Sequence, residues 1–492
     1  MRRLHLAIII MIIPVLFSTA TIAEERLLLQ TLETMERASL FLRENVSYRG
    51  GYLDKYSEDM TRRWGEIPAR ETQIMCQEPG TSTVGTAFLN AYRATGNVEF
   101  LRLASDAANA LIWGQHPKGG WHYLIDFDMT TIETWYETEA ANAWGWEEYY
   151  HYYGNCTFDD GATAAPTRYL LDLYMETLDP KYREPLDKAM AFILESQYEN
   201  GAWPQRYPLK YDYPKDGRPD YTHFYTFNDG AIRNNIILLL DAWEKLGDEL
   251  YLEAARRGMD FYLISQLEAP QAGWAQQYTM DMKPGWARTY EPAAVSVHRT
   301  LSNLRDLALY YGMTGDKRYL APYPAAIDWL ERSVLTTNSS AGYTHAGFYE
   351  PGTNKPLYYH FEGSDSKNYR YWLDQEREDA WWYRKSARPD ITGLKKEYAR
   401  LTALKPEQAR TEYEESRIAE RTANVDEAEV RSIIDTLDSK GRWITDMRIR
   451  QYDKGMLNDR PVDSVRGIDI GVFVRNMRVL TEYIVENEKI KK

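Results

Sequence analysis

Two acidic doublets stand out as residues able to do chemistry. Thr157-Phe158-Asp159-Asp160-Gly161-Ala162 recurs 69 residues later as Thr226-Phe227-Asn228-Asp229-Gly230-Ala231. Each doublet falls just before or in the first turn of a predicted helix. The simplest role there is capping, since Asp and Asn accept from free backbone N–H groups and suit the helix dipole. Two copies of a double motif, each followed by Gly, exceed what capping needs. Carboxylates gathered at one place suit a hard cation such as Ca²⁺, which takes oxygen ligands in irregular geometry. Two acids, Asp159 and Asp229, at a suitable separation would instead serve glycoside hydrolysis.

Cationic and aromatic groups complete the candidate set. Trp203-Pro204-Gln205-Arg206-Tyr207-Pro208 is a rigid aromatic and cationic loop. Its Trp203 is either a sugar-stacking surface or a buried ring that staples the loop. Arg206 and Arg299 carry planar forks that match carboxylates bidentately. Arg377 lies in Glu376-Arg377-Glu378-Asp379 and most simply pairs with its neighbours on a solvated helix face. His298 and His345 read as structural. With 8 His and no HExxH, a zinc hydrolase is not indicated, and there is no GxSxG, Walker loop or dinucleotide fingerprint.

The elements that must position these residues repeat. Leu101–Trp121, Ala189–Trp203 and Ala254–Trp274 each read as a helix, then Gln (Gln115, Gln197, Gln266), then a small-residue corner ending in Trp. Gly441-Arg442-Trp443 is a weaker copy, and Gly51-Tyr52 opens the series. After Asp229, Ile232, Ile236, Ile237, Leu239, Leu240 and Trp243 cover one helical face. Helical hairpins repeated around a ring, each burying its face only against neighbours, predict an all-α fold: an α/α toroid, or incomplete barrel, with long loops. Equivalent helix starts then share one end, where Asp159, Asp160, Asp229 and Arg299 converge.

Composition bounds the rest. The 492 residues hold 59 Lys+Arg against 73 Asp+Glu, a formal charge of -14, which disfavours nucleic acid as a partner. Tyr and Trp number 38 and 15 against 13 Phe, which fits long helices with half-buried Tyr or a sugar-stacking cleft. Arg2-Arg3, an apolar run from Leu6 to Phe17 and small residues up to Ala23 form the layout of a cleavable secretory signal over residues 1–23. The mature protein is therefore expected to be secreted or periplasmic, free of the membrane and monomeric. Cys76 and Cys156 form either one disulfide or two buried thiols. Residues 24–150 read as the first helical repeats and 151–388 as the catalytic region. Residues 389–492 read as a charged helical connector followed by a C-terminal helical segment.

Thr157–Thr163 (TFDDGAT), Gly201–Pro208 (GAWPQRYP), Thr226–Ala231 (TFNDGA) and Phe348–Pro356 (FYEPGTNKP) occur in that order, and Glu376-Arg377 is followed by Tyr383. Together they resemble the polysaccharide lyase family 10 pectate lyases, over roughly Cys156–Tyr383. The resemblance implies a toroid-like helical fold, Ca²⁺ dependence and β-elimination on an acidic, polygalacturonate-like polysaccharide. It implies metal binding by Asp229 with Asn228, and a substrate cleft lined by Asp159, Asp160, Trp203, Arg206 and Tyr207. It also implies a substrate-carboxylate contact from Arg299 and the base role for Arg377. An arginine base is chemically awkward, because guanidinium in proteins is expected to stay protonated. Two departures weigh on this. The stretch Leu357–Gly363 (LYYHFEG) lacks the family's further Arg, and His298 replaces the usual apolar neighbour of Arg299. A toroid glycosidase and a weakened uronate-binding homologue are the alternatives.

Overall fold

The computed structural model describes residues 25–142, 147–215, 217–336, 341–363, 369–378, 385–421, 425–449 and 463–490. The signal-type segment 1–23 and Tyr383 lie outside the described residues. The fold is an α/α toroid. Its helices are α1 (25–41), α2 (Thr81–Thr95), α3 (Val98–Trp113), the short α4 (Ile132–Thr138), α5 (Ala164–Thr177), α6 (Arg183–Glu195), α7 (Ala231–Leu246), α8 (Glu249–Ile264), α9 (Val297–Thr314), α10 (Tyr323–Arg332), α11 (Ile391–Ala403), α12 (Pro406–Arg421), α13 (Glu427–Thr436) and α14 (Ile470–Ile490).

Helices α14, α2, α5 and α7 follow one another as neighbours in the inner layer, and α12 packs along α9. Arg233 of α7 reaches Asp306 of α9 at 3.0 Å, linking the next pair. The face of α7 foreseen in the sequence is buried at Ile232, Ile236, Leu239 and Leu240. The outer helices α3, α8 and α13 begin on Asn97, Asp248 and Asp426, whose side chains accept from Glu99, Leu250 and Ala428 backbone N–H. These caps satisfy donors that a helix start leaves open.

The repeated corner has one job at each copy. Trp121, Trp203, Trp274 and Trp443 donate their indole N–H to Leu111, Ile193, Tyr262 and Ile433 carbonyls at 2.8–2.9 Å. Gln115, Gln197 and Gln266 each place one amide group on two carbonyls: one in their own corner, and one on the next hairpin at Pro185, Ala254 or Pro322. Gly201 shows why the corner needs glycine. Its φ is +93°, and a Cβ there would sit 2.0 Å from the Arg257 carbonyl oxygen of α8. The last corner returns to the beginning: Gly441 lies against Arg37 of α1, and Arg37 Nη2 donates to Asp438 O at 3.0 Å.

Small sheets decorate the ring. Lys55–Ser57 pairs antiparallel with Asp463–Asp469, which also pairs with Thr445–Ile449, so the N- and C-terminal parts share a sheet that the helical reading did not foresee. Pro356–Gly363 and Tyr369–Asp374 form a hairpin. Arg377 follows this hairpin outside any helix, so the expected solvated helix face is absent. Cys76 and Cys156 are both buried free thiols, and burial pushes Cys156 up to about 12.

Candidate functional site

The two TFxDGA copies fold alike because both Asp160 and Asp229 adopt left-handed backbone, with φ of 46° and 50°. Such conformations are uncommon for residues with a Cβ and store strain that the surroundings must hold. The corners do so here. Phe158 N–H donates to Gln205 O and Phe227 N–H to Gln276 O, at 2.9 and 3.0 Å. The same glutamines address the first Asx of each turn: Gln205 Nε2 donates to Asp159 Oδ2 at 2.7 Å, and Gln276 Nε2 to Asn228 Oδ1 at 3.3 Å. Neither turn makes a side-chain cap bond at the start of its helix, so capping does not account for the doublets.

Asp159 and Asp229 meet on one cation, Arg288, whose side chain is 3% exposed. Its Nη2 lies 2.5 Å from Asp159 Oδ2, and its Nη1 lies 2.9 Å from Asp229 Oδ2 and 3.2 Å from Glu291 Oε1. Its Nε lies 3.1 Å from Glu148 Oε2. Tyr123 OH donates to Asp159 Oδ2 at 2.5 Å. Beside this knot, Glu147 pairs with Lys215 at 3.0 Å and accepts from Thr289 N–H.

Acids outnumber cations here, and the titration of the groups records it. Burial, opposed by Arg288 and reinforced by Glu66 and Asp159, pushes Glu148 up to about 8. Burial, opposed by Arg288 and reinforced by Asp229 and Asp159, pushes Glu291 up to about 7. Asp159 also moves up, chiefly by desolvation, against the pull of Arg288. Burial opposes the charge of Arg288, but Glu148, Glu291, Asp159 and Asp229 outweigh it and hold the guanidinium well above its ordinary value. Asp160 keeps an exposed surface but is crowded on its other sides. Desolvation and the charges of Asp229, Glu66 and Asp159 raise its carboxyl.

The residues expected from the sequence divide. Asp159, Asp160, Asn228 and Asp229 gather at one place, as the repeat required. Arg299, 8% exposed, stands at its edge with Nη2 3.5 Å from Asn228 Oδ1. Asn228 is committed to the protein, its Nδ2 donating to Glu291 Oε1 at 2.5 Å and to Asp229 Oδ2 at 3.1 Å. Trp203 is fully buried and is a structural ring; it is not a surface for stacking on a sugar. Arg206, 1% exposed, is enclosed with its guanidinium over the rings of Tyr123 and Tyr153 at 5.1 and 4.5 Å, so it shapes the floor and cannot meet a ligand directly. Tyr207 sends its hydroxyl to Glu195 at 2.9 Å, at the end of α6. Arg377 Nη2 donates to Tyr343 O at 3.1 Å. Within FYEPGTNKP, Asn354 Oδ1 accepts from Trp329 Nε1 at 2.8 Å, a packing role.

Sequence reasoning missed Arg288, Glu148, Glu291 and Tyr123. Gln205 and Gln276 carried a usable signal, because each sits two residues after a corner Trp. Arg288 and Glu291 carried none: they occur once, in a loop with no repeat partner.

Fold and site together define an α/α-toroid enzyme with a carboxylate-rich mouth. Residues 115–307 match the family described as pectic acid lyase, and over that segment the chain is similar to polysaccharide lyases. No curated protein matches the chain. Among solved structures, a family 10 polysaccharide lyase from Cellvibrio cellulosa is 22% identical, over 56% of this chain and 84% of that one, with a TM-score of 0.38. A mutant of that family 10 lyase in complex with trigalaturonic acid shares the same identity and coverage at a TM-score of 0.37. A family 76 α-mannanase of Bacteroides thetaiotaomicron is 11% identical, over 95% of this chain and 97% of that one, at 0.41.

Proposed function

We propose that this chain is a secreted or periplasmic, Ca²⁺-dependent pectate lyase that cleaves polygalacturonate by β-elimination to unsaturated oligouronides. The observation that carries the reading lies inside the segment matching the pectic acid lyase family. Two like turns there bring Asp160 and Asp229 close enough for each charge to raise the cost of the other.

The chemistry follows from the substrate. The C5 proton of a galacturonate lies α to the C6 carboxylate, and the C4 oxygen carries the next sugar. Breaking C5–H leaves an electron pair that forms the C4=C5 bond as C4–O breaks, and the departing oxygen takes a proton. Charge builds on the carboxylate, so a site helps by holding positive charge there. In this reading Arg299, at the cluster's edge beside Asn228, would meet that carboxylate. Arg377 is assigned the proton-accepting role, or the positioning of a hydroxide that accepts it.

The surplus negative charge at the cluster suits a cation. The charge of Asp229 helps raise the Asp160 carboxyl, and a hard cation offsets such a pair of like charges. Among the described residues no three His, Cys, Asp or Glu form a metal-holding group, so water and the substrate carboxylate would supply the remaining oxygens. When bound, Ca²⁺ would neutralise the uronate carboxylate and stabilise the charge that develops on it. Asn228 drops out of the ligand set, because its amide is spent on Glu291, Asp229 and Gln276.

The test is ultraviolet absorbance of the enoate product from polygalacturonate, with added Ca²⁺ and with a chelator. A rise that the chelator abolishes is expected, and no rise at any Ca²⁺ concentration overturns the reading. A second reading, toroid glycosidase, is favoured by one observation: the raised carboxyl of Asp160 is the kind kept protonated as a general acid. Reducing ends released without an unsaturated product would select it. Asp159, expected as part of that pair, is instead buried and held by Arg288, Tyr123 and Gln205.

A further inference from the structure

One sheet joins the two arginines given to the reaction. Its four strands lie in the order Tyr369–Asp374, Pro356–Gly363, Phe348–Tyr349 and Val295–Ser296, each antiparallel to the next. Helix α9, which carries Arg299, begins directly after Val295–Ser296. Arg377 follows the opposite edge strand, shortly after Asp374. Where Arg377 stands therefore depends on what holds the exit of that strand.

Two side chains hold it. His360, its side chain 15% exposed, stacks on Trp372 across the hairpin with ring centroids 5.5 Å apart. Its Nε2 lies 2.9 Å from Asp374 Oδ1, and its Nδ1 lies 3.1 Å from Glu378 Oε2. One ring thus ties the residue that ends the strand to the residue that follows Arg377. Lys385, its side chain 3% exposed, lies 2.7 Å from the same Glu378 oxygen, and its ammonium stands 4.5 Å from the Tyr359 ring centroid. A buried ammonium is costly unless paired, so Glu378 is bound from the core side as well. Ser386 Oγ donates to Glu378 O at 3.3 Å, and Asp374 Oδ1 accepts from Glu376 N–H at 2.7 Å. These bonds close the turn around Arg377 at both ends.

The same network reaches the segment of Arg299. Ser386–Ala387 pairs with His345–Ala346, Gly347 N–H donates to Lys385 O at 2.7 Å, and Val297 N–H donates to Gly347 O at 3.0 Å. His298, the neighbour of Arg299, donates from Nε2 to Ser386 O at 3.1 Å. Tyr359, beside Lys385, packs on Tyr290 of the loop that carries Arg288 and Glu291.

We infer that His360 is a positioning residue: with Lys385 it fixes Asp374 and Glu378 on either side of Arg377, and so sets where Arg377 stands relative to Arg299. His360 itself meets no substrate, because both ring nitrogens are engaged by the protein. The inference rests on the reading of Arg377 as the group that meets the C5 proton.

The experiment follows the unsaturated product from polygalacturonate in wild type, His360→Phe, His360→Gln, Glu378→Gln, the His360→Phe/Glu378→Gln double variant and Arg377→Ala. Phe keeps the ring on Trp372 and removes both nitrogens. His360→Phe should lower kcat about 10- to 100-fold, the cost of a misplaced reacting group, with KM within about twofold of wild type. His360→Gln, whose amide can still donate to one acid, should lose less. Glu378→Gln should also lower kcat, and the double variant should be no worse than the poorer single one, since both act through one turn. Wild-type kcat in His360→Phe and His360→Gln, or losses that add in the double variant, overturn the positioning role and leave the lyase reading intact. A rise in KM at constant kcat overturns it too. Wild-type turnover by Arg377→Ala overturns the assignment of Arg377 and this inference with it. A wild type that releases no unsaturated product overturns the lyase reading and the inference together.

Discussion

Arg288→Met is the most searching perturbation of the site. The substitution keeps most of the side-chain volume and removes the charge. Four carboxylates, from Glu148, Asp159, Asp229 and Glu291, then face one another without their shared cation. Breaking one buried ion pair costs about 3–5 kcal/mol, because the surviving charge stays desolvated. Here the penalty depends on pH. Glu148 and Glu291 already titrate near 8 and 7 with Arg288 in place, and losing the cation can only push them higher. At pH 6 both take up protons, and the cost reduces to that of Asp159 and Asp229. At pH 9 the acids can shed it only by protonating against the solution. For a chain of this length the unfolding entropy is about 1 kcal/mol/K at ~2.1 cal/mol/K per residue, so ~4 kcal/mol lowers Tm by roughly 4 °C. The expected result, by differential scanning calorimetry, is a drop of about 4 °C at pH 9 that shrinks by half or more at pH 6. Arg288→Lys, which keeps the charge but not the fork, should fall between. A variant that melts within about 1 °C of the wild type at pH 9 would refute the four-acid knot. So would a drop independent of pH.

Further outcomes follow from the same geometry. Wild-type stability should fall as pH rises from about 4.5 to 8: Glu148 and Glu291 have folded values above the ordinary 4.5, so their contribution is whole below 4.5 and lost through 7 and 8. A Tm that rises steadily over that window speaks against the raised carboxyls. Asp160→Asn should leave Tm unchanged or slightly raised, since it relieves like charge, while cutting lyase turnover at least 100-fold; retained turnover would remove Asp160 from the mechanism. Trp203→Ala should lose about 3–5 kcal/mol of stability by opening the core and stranding the Ile193 carbonyl. If soluble, its KM should be near wild type, and a selective rise in KM would restore the sugar-stacking role.

Much of the scaffold was legible in the sequence, because the repeat wrote it several times. The corner Trp, its Gln and the TFxDGA turn each recur, and each recurrence makes the same bonds. Convergence of Asp159 and Asp229 followed from equivalent helix starts alone. What recurs, however, is what the ring needs for itself, so Trp203 and Arg206 turned out to be pillars. The charge balance of the mouth was illegible for the converse reason. Arg288, Glu291, Glu148 and Glu66 come from single-copy loops, and only the folded backbone brings them within reach of the doublets. The terminal sheet was hidden as well, since Lys55–Ser57 meets a strand more than 400 residues away and no local pattern encodes such a partner.

The contact between the last corner and α1 bears on where the protein can be cut. Each corner rests on the helix pair that follows, and the final one rests on the first, as spokes share a rim. Residues 115–307, the part with recognisable kin, are then an arc of the wheel. Excised, that arc would present two raw edges: the side of α5 that α2 covered and the side of α9 that α12 covered. The ancestry of the chain can be read in that arc, but the unit that folds is the closed circuit.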